Sequence, residues 1–268
     1  MAGEARMARV WSRIGDCARA DGRPVSVAHA CIACAGDVGA AGAGLSMSRG
    51  STLREPVFAT DARSGELGDL QFTLGEGPCM DAMTRNETVL AADLASAGSK
   101  RRWPVFAPAA VALGVRGVFS IPIGAGAAQF GALDLYRDGP GLLSHGQLLD
   151  VLAYADALLV LMLDHRGGIS PSLGRFLDEE FTERRAGVHQ AAGMVSVQLR
   201  VKVADALARL RAYAYAQDRR LIEVSAAVVA RRLRFDPDTG EGIEDVDGAQ
   251  PRDGRPSETD VTGKEEAE

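Results

Sequence analysis

The spacing of hydrophobic residues predicts a mixture of strands and helices over the first 165 residues. Two stretches with period-two alternation, 115–123 and 130–136, flank a turn of small residues and predict an antiparallel hairpin. Further short strands are predicted at 41–48, 56–60 and 89–91. Apolar residues at helical spacing predict short helices at 7–19, 25–36, 66–74, 79–84 and 106–113. The pattern is typical of an α+β domain with an antiparallel sheet and flanking helices.

A longer helix is predicted over residues 147–163, with Ser144 as its capping residue. Apolar residues occupy more than one face of this helix, so we expect it to be buried on two sides. One side should pack against the sheet and the other against a second copy of the chain. The pattern therefore predicts a homodimer.

Three further helices are predicted at 176–199, 203–216 and 221–233, with connections of only a few residues. Such short connections favour an all-α three-helix bundle. Residues from 236 onward are acidic and nearly free of large apolar side chains, which predicts disorder. We therefore divide the chain into a sheet domain, a linker, a helical bundle and a disordered acidic tail, at 1–165, 166–180, 181–235 and 236–268.

The net charge of −6 conceals a basic segment between two acidic ones. Residues 184–235 carry eleven basic and three acidic side chains, a net +8. Residues 1–183 carry a net −5 and residues 236–268 a net −9. A locally basic module of this kind is typical of proteins that bind a polyanion.

Specific motifs in both halves resemble known families. The sequences at 67–82 (LGDLQFTLGEGPCMDA), 101–110 (RRWPVFAPAA) and 117–136 resemble a GAF domain, a sensory fold with a central antiparallel sheet. The bundle resembles an ANTAR domain, through Ala191-x-Gly193-Met194, then Ala206-x-x-x-Leu210-Arg211-x-x-Ala214, then Arg219-x-Leu221-x-x-Val224. Their order is that of GAF–ANTAR regulators. Two positions depart from the pattern: Lys202 where the family often has Ser or Thr, and Ser225 where it usually has Ala.

The resemblance implies a signal-responsive transcription antitermination regulator. ANTAR domains bind hairpins in nascent RNA, are thought to act as dimers, and are controlled by the sensory domain before them. A small-molecule signal at the GAF-like domain is implied as well. The residues that line its pocket are unknown: Phe58, Phe72, Phe119 and Leu133 are considered, and each is better explained as core.

RNA binding requires cations for the phosphates and planar groups for unpaired bases, and arginine supplies both. The candidate RNA-binding residues are Arg200, Lys202, Arg209, Arg211, Arg219, Arg220, Arg231 and Arg232. Any single arginine is equally explained as a solvated helix residue, so the prediction depends on their excess over acids. Tyr213 shares a face with Leu210, which favours core packing over base stacking.

Other chemistry is weakly indicated. Cys31-x-x-Cys34 falls inside a predicted helix without a second pair, and the four histidines lack ligand spacing, so no metal site or cofactor is expected. Cys79 follows Gly77-Pro78 at a helix start, where a lowered thiol pKa and simple burial are both open. No catalytic constellation is present, and we expect a regulator instead of an enzyme.

Residues 148–163 form the best apolar run, but Asp150 and Asp156 interrupt it, and no secretory signal precedes it. We therefore expect a cytoplasmic protein without a membrane partner. An alternative function is a protein-interaction regulator whose basic module binds an acidic protein or the chain's own tail. A GAF-fold enzyme is a third hypothesis.

Overall fold

A computed structural model describes residues 2–49, 53–126, 128–166 and 179–244. Within these ranges the helices are α1 (Ala2–Asp21), α2 (Val27–Val38), α3 (Ala62–Leu74), α4 (Pro78–Arg85), α5 (Ala97–Arg102), α6 (Phe106–Ala112), α7 (His145–Arg166), α8 (Glu179–Leu199), α9 (Val203–Ala216) and α10 (Leu221–Val229). The strands are β1 (Gly42–Arg49), β2 (Leu53–Ala59), β3 (Val89–Ala91), β4 (Gly117–Ala125), β5 (Ala128–Arg137), β6 (Leu233–Phe235) and β7 (Gly242–Glu244).

The first five strands form one antiparallel sheet in the order β2-β1-β5-β4-β3. The predicted β4–β5 hairpin is confirmed, with an irregularity in register after Ile123. Successive side chains of a strand point to opposite faces, and β5 shows this directly. Leu133 and Leu135 face α1, α2 and α7, whereas Asp134 and Tyr136 face α3 and its neighbours. The predicted α+β class with flanking helices is confirmed for this domain.

Helix α7 is the central core helix behind the sheet. Val151, Tyr154, Leu158 and Met162 are buried against α1, α2 and the strands. By length and composition alone its stretch His145–Asp164 is apolar enough to cross a membrane, and 44% of that stretch is buried in the fold. Asp150 and Asp156, which interrupt the apolar run, lie within this stretch.

Helices α8, α9 and α10 pack together around a second apolar core. That core contains Val195, Leu210 and Val228, and it also includes Phe72 from α3 of the sheet domain. The predicted linker at 166–180 lies almost entirely outside the described residues.

The end of the helical module differs from the prediction. The third helix stops at Val229 instead of 233, and Leu233, Arg234 and Phe235 form a strand that pairs with Gly242–Glu244. The reason is a left-handed residue at Arg231, which ends the helix and turns the chain. The predicted disordered tail at 236–268 is thus wrong for its first nine residues, which form a turn and the strand β7.

Candidate nucleic-acid interface

Helices α8 and α10 both end in an arginine with left-handed backbone. Arg200 has φ 54° and Arg231 has φ 58°, a region where glycine is the usual residue. For an L-residue this conformation costs roughly 1–2 kcal/mol. Both side chains are exposed. The two exposed arginines therefore bear a conformational cost that glycine would avoid, as Asn86 and Asp218 do elsewhere in the fold.

An open groove of about 620 Å³ lies beside these helix ends. Its lining comes from α8, α10 and β6: Gln190, Gly193, Met194, Val197, Gln198, Val228, Arg231 and Arg234. Val197 is 79% exposed, so an apolar surface faces solvent between two arginines. Among the described residues, the lining contains no acidic side chain. We call this surface the basic groove.

One of the eight predicted residues lines the basic groove, and three others are exposed close to its lining residues in sequence or at the next helix start. Arg231 lines it, and Arg232 follows directly as an exposed residue. Arg200 comes two residues after Gln198, which lines the groove and accepts a hydrogen bond from the backbone N–H of Phe235. Lys202 is exposed at the N-cap of α9 and provides no side-chain cap there.

The other four predicted residues are engaged by the fold. Arg219 pairs with Glu244, and Arg220 pairs with Glu223 one turn along α10. The guanidinium of Arg209 lies against Gly240, where an added Cβ would be 3.1 Å from Nη1. Arg211 stacks over the Phe72 ring, with 5.1 Å from its Cζ to the ring centroid. The structure therefore divides the predicted set into two groups.

Arg234 belongs to the basic groove and was not among the predicted residues. The prediction placed it at the end of a helix. The alternation of buried Leu233, exposed Arg234 and buried Phe235 was the signal for a strand that exposes this side chain.

Tyr213 packs in the module, as its position beside Leu210 predicted. Its ring meets Phe235 edge to face at a centroid distance of 5.5 Å. An added Cβ at Gly242 would overlap the ring, so the β6–β7 ribbon closes over it. Burial and the neighbouring carboxylate of Glu244 raise the pKa of Tyr213. Tyr215 is 61% exposed instead.

Two contacts dock the helical module on the sheet domain. Phe72 is 5% exposed, and its ring joins the module's core while Arg211 covers it. His189 of α8 contacts the buried carboxylate of Glu55 on β2. Because Arg211 belongs to the docking surface, it cannot contact RNA in this arrangement.

A polar cluster is buried between α3, α4 and the sheet. The Gln71 side chain donates to Asp134 Oδ2 at 3.0 Å and accepts from the Cys79 backbone N–H at 2.8 Å. Burial raises the pKa of Asp134 to about 6, although the hydrogen bond from Gln71 acts against it. The adjoining cavity between the sheet and α3 measures about 10 Å³, the space of roughly one water molecule.

Three of the four cysteines are buried. Cys31 and Cys34 lie buried in α2, and burial raises the pKa of Cys31 to about 12 and that of Cys34 as well. Cys79 is 3% exposed, which favours burial over the reactive thiol that its position at a helix start left open. Among the described residues, no group of three His, Cys, Asp or Glu side chains could hold a metal ion.

The chain combines an α+β sheet domain with a basic helical module. No protein-family model and no curated protein matches it. Among solved structures, it is similar to the GAF domain of an Acinetobacter phosphoenolpyruvate-protein phosphotransferase, at 13% identity and a TM-score of 0.46, over 63% of this chain and 99% of that one. The corresponding domain from Coxiella burnetii gives 15% identity, a TM-score of 0.46, and coverages of 60% and 97%.

A third similar structure is a free methionine-R-sulfoxide reductase from Neisseria meningitidis, with 14% identity and a TM-score of 0.35, over 53% of this chain and 78% of that one. All three likenesses are distant. The function of this chain is therefore argued from its own residues.

Proposed function

We propose that the protein is a cytoplasmic, signal-responsive RNA-binding regulator of transcription antitermination. The GAF-like domain receives the signal, and the ANTAR-like module binds hairpins in nascent RNA. The observation that carries the proposal is the basic groove, with Arg231 and Arg234 in its lining. The exposed Arg200 follows α8 two residues after Gln198 of the same lining. The local excess of basic residues in 184–235 supports it.

The basic groove suits an RNA loop better than a duplex. Guanidinium groups of Arg231 and Arg234 at its border can neutralise phosphates and read base edges. In the same lining, Met194 and Val197 offer an apolar surface against which an unpaired base can pack. Sequence-specific RNA recognition usually targets such splayed bases in loops.

The experiment is filter binding of the full chain to hairpin RNAs, with the same stems closed into uninterrupted duplexes as controls. The proposal expects hairpin binding that weakens with added salt, and weak binding to the duplexes. Equal affinity for hairpin and duplex, or none for either, would contradict it. A transcription template with a terminator then measures read-through as a function of added protein.

A homodimer is part of the proposal. Leu152, Val160 and Leu163 of α7 are 38%, 55% and 43% exposed, although other apolar residues of the helix are core. Their spacing places them toward one side of the helix, which suits packing against the same helix of a second copy. Sedimentation equilibrium of the full chain over a range of concentrations tests this, and a monomer at all of them would exclude it.

A second candidate function is regulation by an acidic partner, including the chain's own acidic end. The ion pair between Arg219 and Glu244 and the contact of Gly240 with Arg209 favour it, because an acidic segment already lies on α9. Removing residues 245–268, which carry a net −5, should strengthen RNA binding most at low salt. Unchanged affinity at every salt concentration would refute masking by this segment.

A further inference from the structure

We propose that the cleft between α3 and the α9–α10 turn is a binding site for an apolar organic cation. The cleft has a volume of about 380 Å³, within the range of roughly 300–1,000 Å³ that small-molecule sites occupy. Residues of both the sheet domain and the helical module line it. A ligand in this cleft therefore contacts both parts of the chain at once.

The floor of the cleft is apolar and partly aromatic. It is formed by Leu70, Phe72, Leu74, Leu113, Leu221 and Ile222. Tyr215 stands at the side with 61% of its surface exposed, so its ring is accessible to a ligand. An aromatic ring attracts a cation placed over its face, most strongly where the cation is poorly hydrated. Apolar floor and open ring together favour a large, weakly hydrated cation.

The charged residues around the cleft also favour a positively charged ligand. Three carboxylates line it, from Glu66, Asp69 and Asp218. The two guanidinium groups of its lining are each paired with a carboxylate of their own: Arg219 with Glu244, and Arg220 with Glu223. The carboxylates of Glu66 and Asp218 in the lining are therefore expected to favour a bound cation over an organic anion.

Because of where the cleft lies, a bound ligand would affect the docking of the helical module on the sheet domain. It lies apart from the closed cavity under the sheet, and it shares no lining residue with the basic groove. It shares Phe72 with the docking surface on which Arg211 is held. A cation bound there adds contacts between α3 and the α9–α10 turn, and so stabilises the docked arrangement.

The probe for the site is tetraphenylphosphonium, with tetraphenylborate as an anion of the same shape. Calorimetric titration of each ion into the full chain should show one binding site for the cation and much weaker binding of the anion. The variant Glu66→Gln/Asp218→Asn replaces two lining carboxylates by amides of equal size. Asn suits the left-handed backbone of residue 218, so this variant should fold.

The double variant should bind the cation roughly 3- to 10-fold more weakly, as expected for the loss of two partly exposed charges. The control Glu87→Gln/Asp156→Asn changes the net charge equally at exposed positions outside the cleft lining, and should bind like the original chain. Circular dichroism and thermal unfolding verify that both variants fold.

Equal binding of both ions, equal loss of affinity in the control, or no cation binding would each overturn the proposal. None of these results involves RNA, so the proposed function stands or falls separately.

Discussion

At the scale of single residues, the most informative positions are those where the residue present makes the fold less stable than another residue would. Arg200 and Arg231 occupy left-handed positions, and Asp134 is a carboxyl buried in the sheet domain. Each lowers stability, because left-handed backbone and buried charge are both unfavourable. Replacing either arginine should therefore raise the stability of the fold and weaken its binding of RNA.

Replacing Arg200 and Arg231 by Gly should stabilise the fold while weakening RNA binding. Relief of the left-handed conformation, less the greater chain entropy of glycine, predicts a gain of about 0.5 to 1 kcal/mol for each substitution. Urea unfolding measures the gain, and filter binding measures the loss. Arginines that serve only as helix ends would give the gain in stability without any loss of binding.

Asp134 should make stability depend on pH. Its folded pKa of about 6 lies above the ordinary 3.8, so the folded state holds its proton over that interval. The resulting stabilisation is complete below pH 3.8 and is lost as the pH rises through about 6. Asp134→Asn should remove this dependence, and at pH 7 it should be more stable than the original chain by up to about 3 kcal/mol.

Urea unfolding between pH 4 and 7 tests this, with Asp156→Asn at an exposed position of α7 as control. The control should follow the original chain across the whole range. Parallel curves for all three proteins would show that Asp134 is not the responsible group.

At the scale of helices and strands, periodicity predicted most of the sheet domain. The β4–β5 hairpin was found because two strand-like apolar segments flank a turn of small residues. The strand Val89–Ala91 was predicted from its short apolar run. Helix α5 was not predicted, because its sequence AGSKRR contains no large apolar residue and none of it is buried. Strands β6 and β7 were missed because three residues each are too short to separate from helix and acidic tail.

Ser225 places an unfavourable buried hydroxyl in helix α10. Its side chain is fully buried, and its Oγ has no hydrogen-bond partner within the described residues. Ser225→Ala should therefore stabilise the module by about 1 to 2 kcal/mol, through the lost desolvation cost and the higher helix propensity of alanine. Thermal unfolding measures it, and a destabilised variant would mean that the hydroxyl has a partner after all.

At the scale of the whole molecule, the docking of the helical module was beyond sequence reasoning. Phe72 was considered as part of a ligand pocket and better explained as core, and the structure places it in the core of the other unit. Periodicity identifies the buried face of a helix without naming its partner. For the same reason the sequence could not show which of the eight basic candidates contact Glu223, Glu244, Gly240 or Phe72 within the fold.

Phe72→Ala should loosen the docking without unfolding the sheet. Removing a buried ring costs roughly 3 kcal/mol or more, and here part of that cost falls on the contact between α3 and α9. Hydrogen exchange should accelerate in α9 while the β4–β5 hairpin stays protected. In the control Phe58→Ala, which affects a half-buried ring on β2, α9 should exchange as before. Uniform acceleration, or none in α9, would argue against a docked module.

The salt dependence of hairpin binding decides whether the basic groove binds RNA. The binding constant K falls as salt is added, so a plot of log K against log salt has a negative slope. Each lost phosphate contact reduces the magnitude of that slope by roughly 0.7 to 0.9. If Arg200 and Arg231 each make one contact, Arg200→Gly/Arg231→Gly should reduce the magnitude of the slope by roughly 1.4 to 1.8. The control Arg85→Gln/Arg101→Gln, with the same charge change on exposed residues of the sheet domain, should leave it unchanged. A slope that is equal in all three proteins would contradict the account.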